Sequence, residues 1–167
     1  QAVFTLNGPR IDIVARNGQL DGIGVPQTTV SIPDVAAPTL RVSGSGEASA
    51  QQWLALIAKT NLQKPLKPIL EKFHYVGNAG IAWDLTIPIS DNQPMLHAIN
   101  IEPKGGTLNI NGFDEPIHHL QGAIQVHNQT PSSNNIRATV YGVPVTATLS
   151  MVQTQGNRQT SPHYVLT

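Results

Sequence analysis

The sequence predicts a mainly β protein built on an antiparallel sheet, with one or two short amphipathic helices. Three observations carry this. The 14 glycines and 13 prolines are scattered, and they punctuate short stretches rich in Val, Ile, Leu and Thr. Long runs alternate apolar and polar residues with period two. Dipeptides suited to tight reversals, Asn7-Gly8 with Pro9, Asn17-Gly18, Gly105-Gly106, Asn111-Gly112 and Tyr141-Gly142, fall between the runs, so consecutive strands are expected to be antiparallel neighbours.

In chain order, Ile11 with Ile13, Val30 with Ile32, and Leu40 with Val42 each form a one-faced apolar pair, giving strands over residues 1–43. A helical insertion is expected over 49–73. From Ser49 to Thr60, Trp53, Leu54, Leu56 and Ile57 sit at helical spacing, and Ser49 with Gln52 three residues later resembles a capping box. Lys64 to Phe73 suits a second short helix whose apolar face is Leu66, Ile69, Leu70 and Phe73, because proline is tolerated in a first turn. Strands resume over 80–167. The clearest is Ile81 to Ile89: Ile81, Trp83, Leu85, Ile87 and Ile89 occupy one face, and Ala82, Asp84, Thr86 and Pro88 the other. Pro88 removes a ladder donor, which places that strand's end at an edge or a bulge. Ile99 with Ile101, Leu108 with Ile110, Ile124 with Val126, and Ile136 with Ala138 and Val140 repeat the pattern. Val143, Val145, Ala147, Leu149 and Met151 then alternate with Pro144, Thr146, Thr148 and Ser150. The chain begins at Gln1 and ends on the strand-like His163 to Thr167, so 1–167 is expected to be one segment of a larger protein.

Lys and Arg number 10 against 10 Asp and Glu, and the pI is near 7.2, so the basic surface that nucleic acid requires is missing. The absence of cysteine excludes a disulfide framework, a thiolate nucleophile and Cys-ligated zinc. No apolar run approaches the ~18 residues of a membrane-spanning helix, and no signal peptide is legible.

Candidate catalytic chemistry is thin. Thr39 to Ser49 reads as a strand, a glycine-rich turn and a helix, the context of a dinucleotide loop. Ser49 replaces the third glycine and no ribose-binding acid follows about 20 residues on, so a flexible lead into the helix is the better reading. His118 and His119 are adjacent and should point to opposite faces of a strand. His74, His97, His127 and His163 have no chelating spacing, so neither metal nor cofactor is expected. Asp114 and Glu115 share a predicted turn beside Pro116, and Asp84 lies on the polar face of its strand; no convergent pair of carboxylates is legible. No G-x-S-x-G elbow occurs. Asn128-Gln129-Thr130 fits a glycosylation sequon. Trp53 and Trp83 could stack on sugars, but Trp83 alternates in step with four aliphatic residues, which points to an apolar environment.

The order of segments NLQKPLKPILEKFHYVGNAGIAWDLTIPIS, INIEPKGGTLNI, HLQGAIQVHNQ and NNIRATVYGVPVTATLS resembles the YhdP branch of the AsmA-like family over nearly the whole chain. The matching positions are Pro65, Leu66, Pro68, Leu70, Gly77, Leu85, Ile87, Pro88, Leu120, Gly122, Gly142, Pro144 and Val145, all structural signatures. Ile124 and Val126 stand where leucine or phenylalanine is usual.

The resemblance implies a strongly twisted antiparallel sheet curled into an open, repeating β-groove. It further implies a periplasmic segment of an inner-membrane-anchored envelope protein, carrying phospholipid toward the outer membrane without catalysis. The expected partners are phospholipid acyl chains, with the inner and outer membranes reached through other parts of the parent chain. Around ten strands at ~4.8 Å would extend such a trough roughly 50 Å. The expected apolar wall is Ile81, Trp83, Leu85, Ile87, Ile99, Ile101, Leu108, Ile110, Ile124, Val126, Val143, Val145 and Leu149, with Trp53, Leu54, Leu56 and Ile57 of the helix covering it. The alternative is a closed, non-enzymatic β-sandwich binding or scaffold module in which the same residues are core. Alternation is identical in the two cases.

Overall fold

The computed structural model describes residues 1–36, 39–59, 67, 70–89, 96–127, 130–152 and 161–166. Among them run twelve strands and one labelled helix: β1 (Ala2–Asn7), β2 (Arg10–Leu20), β3 (Ile23–Ile32), β4 (Thr39–Ser49), α1 (Ala50–Ala58), β5 (Phe73–Val76), β6 (Asn78–Pro88), β7 (Leu96–Ile110), β8 (Phe113–Gln121), β9 (Ile124–His127), β10 (Thr130–Val140), β11 (Val143–Val152) and β12 (Ser161–Leu166). The protein is mostly antiparallel β sheet with short helical elements, as its alternation predicts. Thr60, Lys64 to Leu66, Pro68, Ile69 and the sequon residues Asn128 and Gln129 lie outside the described residues, as do the side chains of Met151 and His163. Of the expected second helix, Lys67 and Leu70 to Lys72 are helical, and Phe73 already opens β5.

Two compact units divide the chain. The first comprises 1–47, 81–100 and 126–129; the second comprises 48–80, 101–125 and 130–167. In the first, strands pair in the order β1, β2, β3, β4, β6. Hairpins close at Gly8-Pro9 and at Asp21-Gly22, where φ is 52° and 84°, the two positive values of a type I′ turn. The expected reversal at Asn17-Gly18 is not there. β2 continues through both residues, with Asn17 held at φ 52°. The ladder places it opposite Pro26, which has no N–H to donate.

In the second unit, β5 pairs with β7, and β7, β8, β10, β11 and β12 follow as neighbours. Asn111-Gly112 and Tyr141-Gly142 are the turns expected of them. Gly105-Gly106 is not a turn but lies inside β7. Gly105, at φ 80°, sits where the β7–β8 register shifts, so its positive φ makes a bulge rather than a reversal. Asp114, Glu115 and Pro116 likewise belong to β8 and not to a turn. Pro88 is the last residue of β6, in keeping with its missing donor, and Ile89 falls beyond the strand, exposed.

Helix α1 begins as its sequence dictates. The Ser49 hydroxyl accepts from the Gln52 N–H while the Gln52 side chain accepts from the Ser49 N–H, completing the capping box. The glycines before it do not form a flexible lead: Gly44 and Gly46 are inside β4, which runs to Ser49 without a turn. Two bonds fasten the helix to the sheet. The Ala50 N–H donates to the Gly77 carbonyl at 2.8 Å, and the Trp53 indole N–H donates to the Ala79 carbonyl at 3.0 Å. Trp53 is only 6% exposed, whereas Leu54 is 41% exposed, so the four apolar residues of the helix are not equally engaged. Leu56 and Ile57 are half-buried.

Candidate functional site

Register determines which side chains share a face. In the first unit Phe4 pairs with Ile13, Ile13 with Val30 and Val30 with Val42, while Leu6 pairs with Ile11 and Ile11 with Ile32. Paired residues point to the same side of a sheet, so the apolar pairs of β1 to β4 form one continuous surface. On its reverse Thr5, Asp12, Ser31 and Arg41 form a polar line beside the apolar pair Val3 and Val14, and by alternation along β3 the buried Ile23 and Val25 lie on that side too; there Arg10 makes two hydrogen bonds to Asp12 at 2.5 and 2.8 Å. These bonds, with the charge behind them, hold the Asp12 carboxyl below its ordinary value.

Trp83 joins β6 to the same apolar surface. A Cβ on Gly44 would meet the Trp83 ring at 2.7 Å, so the indole lies against the Gly44 backbone on the side where Val42 also projects. Gly44 is therefore a seat for the ring. By alternation Ile81, Leu85 and Ile87 share the Trp83 side of β6.

The second unit repeats the arrangement. Phe73 pairs with Ile110 and Ile110 with Phe113; Tyr75 pairs with Leu108 and Leu108 with Ile117; Gly106 pairs with Leu120. On the far side, Val140 pairs with Val143, Ala138 with Val145, Ile136 with Ala147 and Ser133 with Leu149. His119, at φ 54°, lies where Arg137 pairs with Gln121 but Thr139 with His118, two strand positions facing three. This bulge carries Leu120 to the side of Ala138, and both are buried.

The burial of the thirteen expected wall residues is informative. Ile81, Trp83, Leu85, Ile87, Ile99, Ile101, Leu108, Ile110, Ile124, Val126, Val145 and Leu149 are all half-buried, and Val143 is 59% exposed. None reaches the near-complete burial of a domain core. Sequence reasoning left Phe4, Leu6, Ile11, Ile13, Val30, Ile32 and Val42 off the wall, although the same period-two signal marks most of them. It also missed Tyr75, whose hydroxyl accepts from the Lys104 and Gly106 N–H groups at 3.3 and 3.2 Å and donates to the Asn78 carbonyl at 2.8 Å. Tyr75 thus satisfies the backbone that the Gly105 bulge takes out of the ladder.

Among the described residues, groups with catalytic potential do not converge. The His118 Nδ1 is 3.2 Å from the Thr107 hydroxyl, and the His118 and His119 rings lie 6.4 Å apart, both residues exposed. Among the described residues no three His, Cys, Asp or Glu side chains are placed to hold a metal ion. A recess of about 250 Å³ beside Gly122 is lined by Ala123, Gln125, Ser132, Ser133, Asn134 and Asn135, with no titratable group.

Compared with known proteins, residues 1–162 match the family model described as YhdP protein. The chain belongs to the YhdP family. No curated protein and no solved structure gave a match. Among the described residues, no helix of this YhdP-family chain is long and apolar enough to cross a membrane.

Proposed function

We propose that this chain is a lipid-accommodating segment of an inner-membrane-anchored, periplasm-spanning envelope protein, and that it supports phospholipid passage toward the outer membrane. The observation that carries the reading is the continuous apolar surface that register builds on one face of each unit, whose expected wall residues are half-buried or exposed where a closed sandwich would bury them. Membership of the YhdP family supports the envelope setting. Acyl chains lie along the apolar surface of each unit, at Trp83, Leu85 and Ile87 in the first and at Leu108 and Ile110 in the second, with the residues paired with them. Each methylene withdrawn from water contributes about 0.8 kcal/mol, which favours occupancy, and a wall of near-equivalent aliphatic side chains offers little resistance to sliding. The segment binds and guides without making or breaking bonds, and it needs no cofactor. Trp53 fixes α1 at the β5–β6 junction, and the helix shields nearby apolar surface through Leu56 and Ile57.

Native mass spectrometry of the purified chain tests this. Phospholipid retained under gentle ionisation is the expected result. A bare chain mass, with no lipid taken up from added vesicles, would leave the non-enzymatic sandwich or scaffold module as the correct reading.

A further inference from the structure

At one end of the second unit's sheet, two hairpin tips stand side by side. The β7–β8 turn (Asn111-Gly112) and the β10–β11 turn (Tyr141-Gly142) lie at the same end, because β8 and β10 are antiparallel neighbours. Phe113 is 43% exposed, Tyr141 is 70% exposed, and Val143 is also exposed. These are costly residues to place there. Tyr141 occupies the turn at φ 50°, a backbone region that favours Gly and Asn, and its ring is left in water instead of packing into the fold. Folding alone gives no reason for an aromatic at this position. The tips are also continuous with the wall. Phe113 pairs with Ile110 and Val143 with Val140, so the apolar face runs out to the tips and ends in an aromatic border.

We propose that Phe113, Tyr141 and Val143 form a rim that contacts the glycerol and ester-carbonyl region of a bound phospholipid, at the point where its acyl chains leave the wall. This rests on the lipid-accommodating reading above and specifies where the polar end of the lipid lies. A tyrosine suits such a boundary, with its ring on the first methylenes and its hydroxyl among the ester oxygens and water. Neither turn holds Lys or Arg; Lys72, whose carbonyl accepts from the Asn111 N–H at 2.9 Å, places its ammonium over the Phe73 ring, 5.7 Å from its centre, and Asp114 is exposed beside Phe113, which together argue against recognition of a phosphate by charge. The rim therefore discriminates by depth within the lipid and not by headgroup.

The test uses the whole chain and two phosphatidylethanolamine probes, one with a diazirine near the ester carbonyl and one with it at the acyl terminus. The carbonyl-proximal probe is expected to label residues 111–113 and 141–143, and the terminal probe to label other wall strands. Tyr141→Asn, which suits the turn better, should keep or raise the melting temperature yet lower phospholipid occupancy about tenfold together with Phe113→Ser. Labelling of the wall by both probes with neither reaching the tips, or unchanged occupancy in the double variant, would overturn the rim while leaving the lipid-accommodating reading intact. Absence of labelling by either probe would overturn both.

Discussion

Replacing Gly44 by alanine isolates the contact that seats Trp83 on the first unit's apolar face. The new Cβ would lie 2.7 Å from Cζ2 and 3.0 Å from Cε2 of Trp83, and 3.3 Å from the Gln27 carbonyl oxygen. In an accommodating strand, Gly→Ala stabilises by about 0.5–1 kcal/mol, because alanine has less backbone freedom to lose. Here the ring must move, and overpacking of this kind costs about 1–3 kcal/mol. The clash wins, leaving a net loss of about 1–2 kcal/mol. For a chain of this size that lowers the melting temperature by roughly 3–6 °C. Gly24 is the control: it too lies in a strand, and a Cβ there would meet nothing within 4 Å, so Gly24→Ala should leave the melting temperature unchanged or raise it. In a Trp83→Leu background most of the Gly44→Ala penalty should vanish, a coupling that a double-mutant cycle in urea measures directly. Equal effects of Gly44→Ala and Gly24→Ala, or a penalty that survives Trp83→Leu in full, would refute the seat and with it the assignment of Trp83 to that face.

Other expectations follow from single contacts. Tyr75→Phe strands the Lys104 and Gly106 N–H groups and should cost about 1–3 kcal/mol by urea denaturation, with amide exchange rising first around residues 104–106. Gly122→Ala combines φ 123° with a Cβ driven into the Asn135 carbonyl oxygen, and should destabilise by more than about 3 kcal/mol, visible as loss of the thermal transition at 37 °C or poor recovery of folded chain. Trp53→Phe loses the hydrogen bond to Ala79 and should cost about 1 kcal/mol, read from the same denaturation curves. Arg10 lowers the Asp12 carboxyl, so that pair contributes above the ordinary Asp value and its contribution is lost as pH falls through the folded value. The melting-temperature gap between the chain and Asp12→Asn should therefore close as pH is taken from about 7 to about 3.

Much of this architecture was legible because period two is a local property. The strands around Ile81 to Ile87 and Val143 to Leu149, and the start of α1 at Ser49, follow from a few adjacent residues and their capping chemistry. Turns were harder. A positive φ is required by a hairpin and by a bulge alike, so Gly105-Gly106 and Asn17-Gly18 carry the same signal as Asp21-Gly22, and only the partner strand decides between them. Asp114, Glu115 and Pro116 have turn composition, yet the ladder with β7 holds them in β8. Tyr75 illustrates a different limit. Its role depends on a bulge some 30 residues away in sequence, and no local pattern announces it. The wall itself was half legible: alternation gave the faces of single strands, but only register joined Phe4, Ile13, Val30 and Val42 into one surface.

The central claim, that the apolar face is open to lipid and not a closed core, is tested most directly by Leu85→Asp and Ile87→Asp, with thermal melting and bound phospholipid per chain measured on the same samples. In a closed core either carboxylate would be buried without a partner and should cost several kcal/mol, enough to unfold much of the chain. On a half-buried wall it can reach water, so each variant should keep a cooperative transition at a cost of about 1–2 kcal/mol while losing most of its lipid. Unfolding of both variants, with no lipid held by the unaltered chain, would contradict the account.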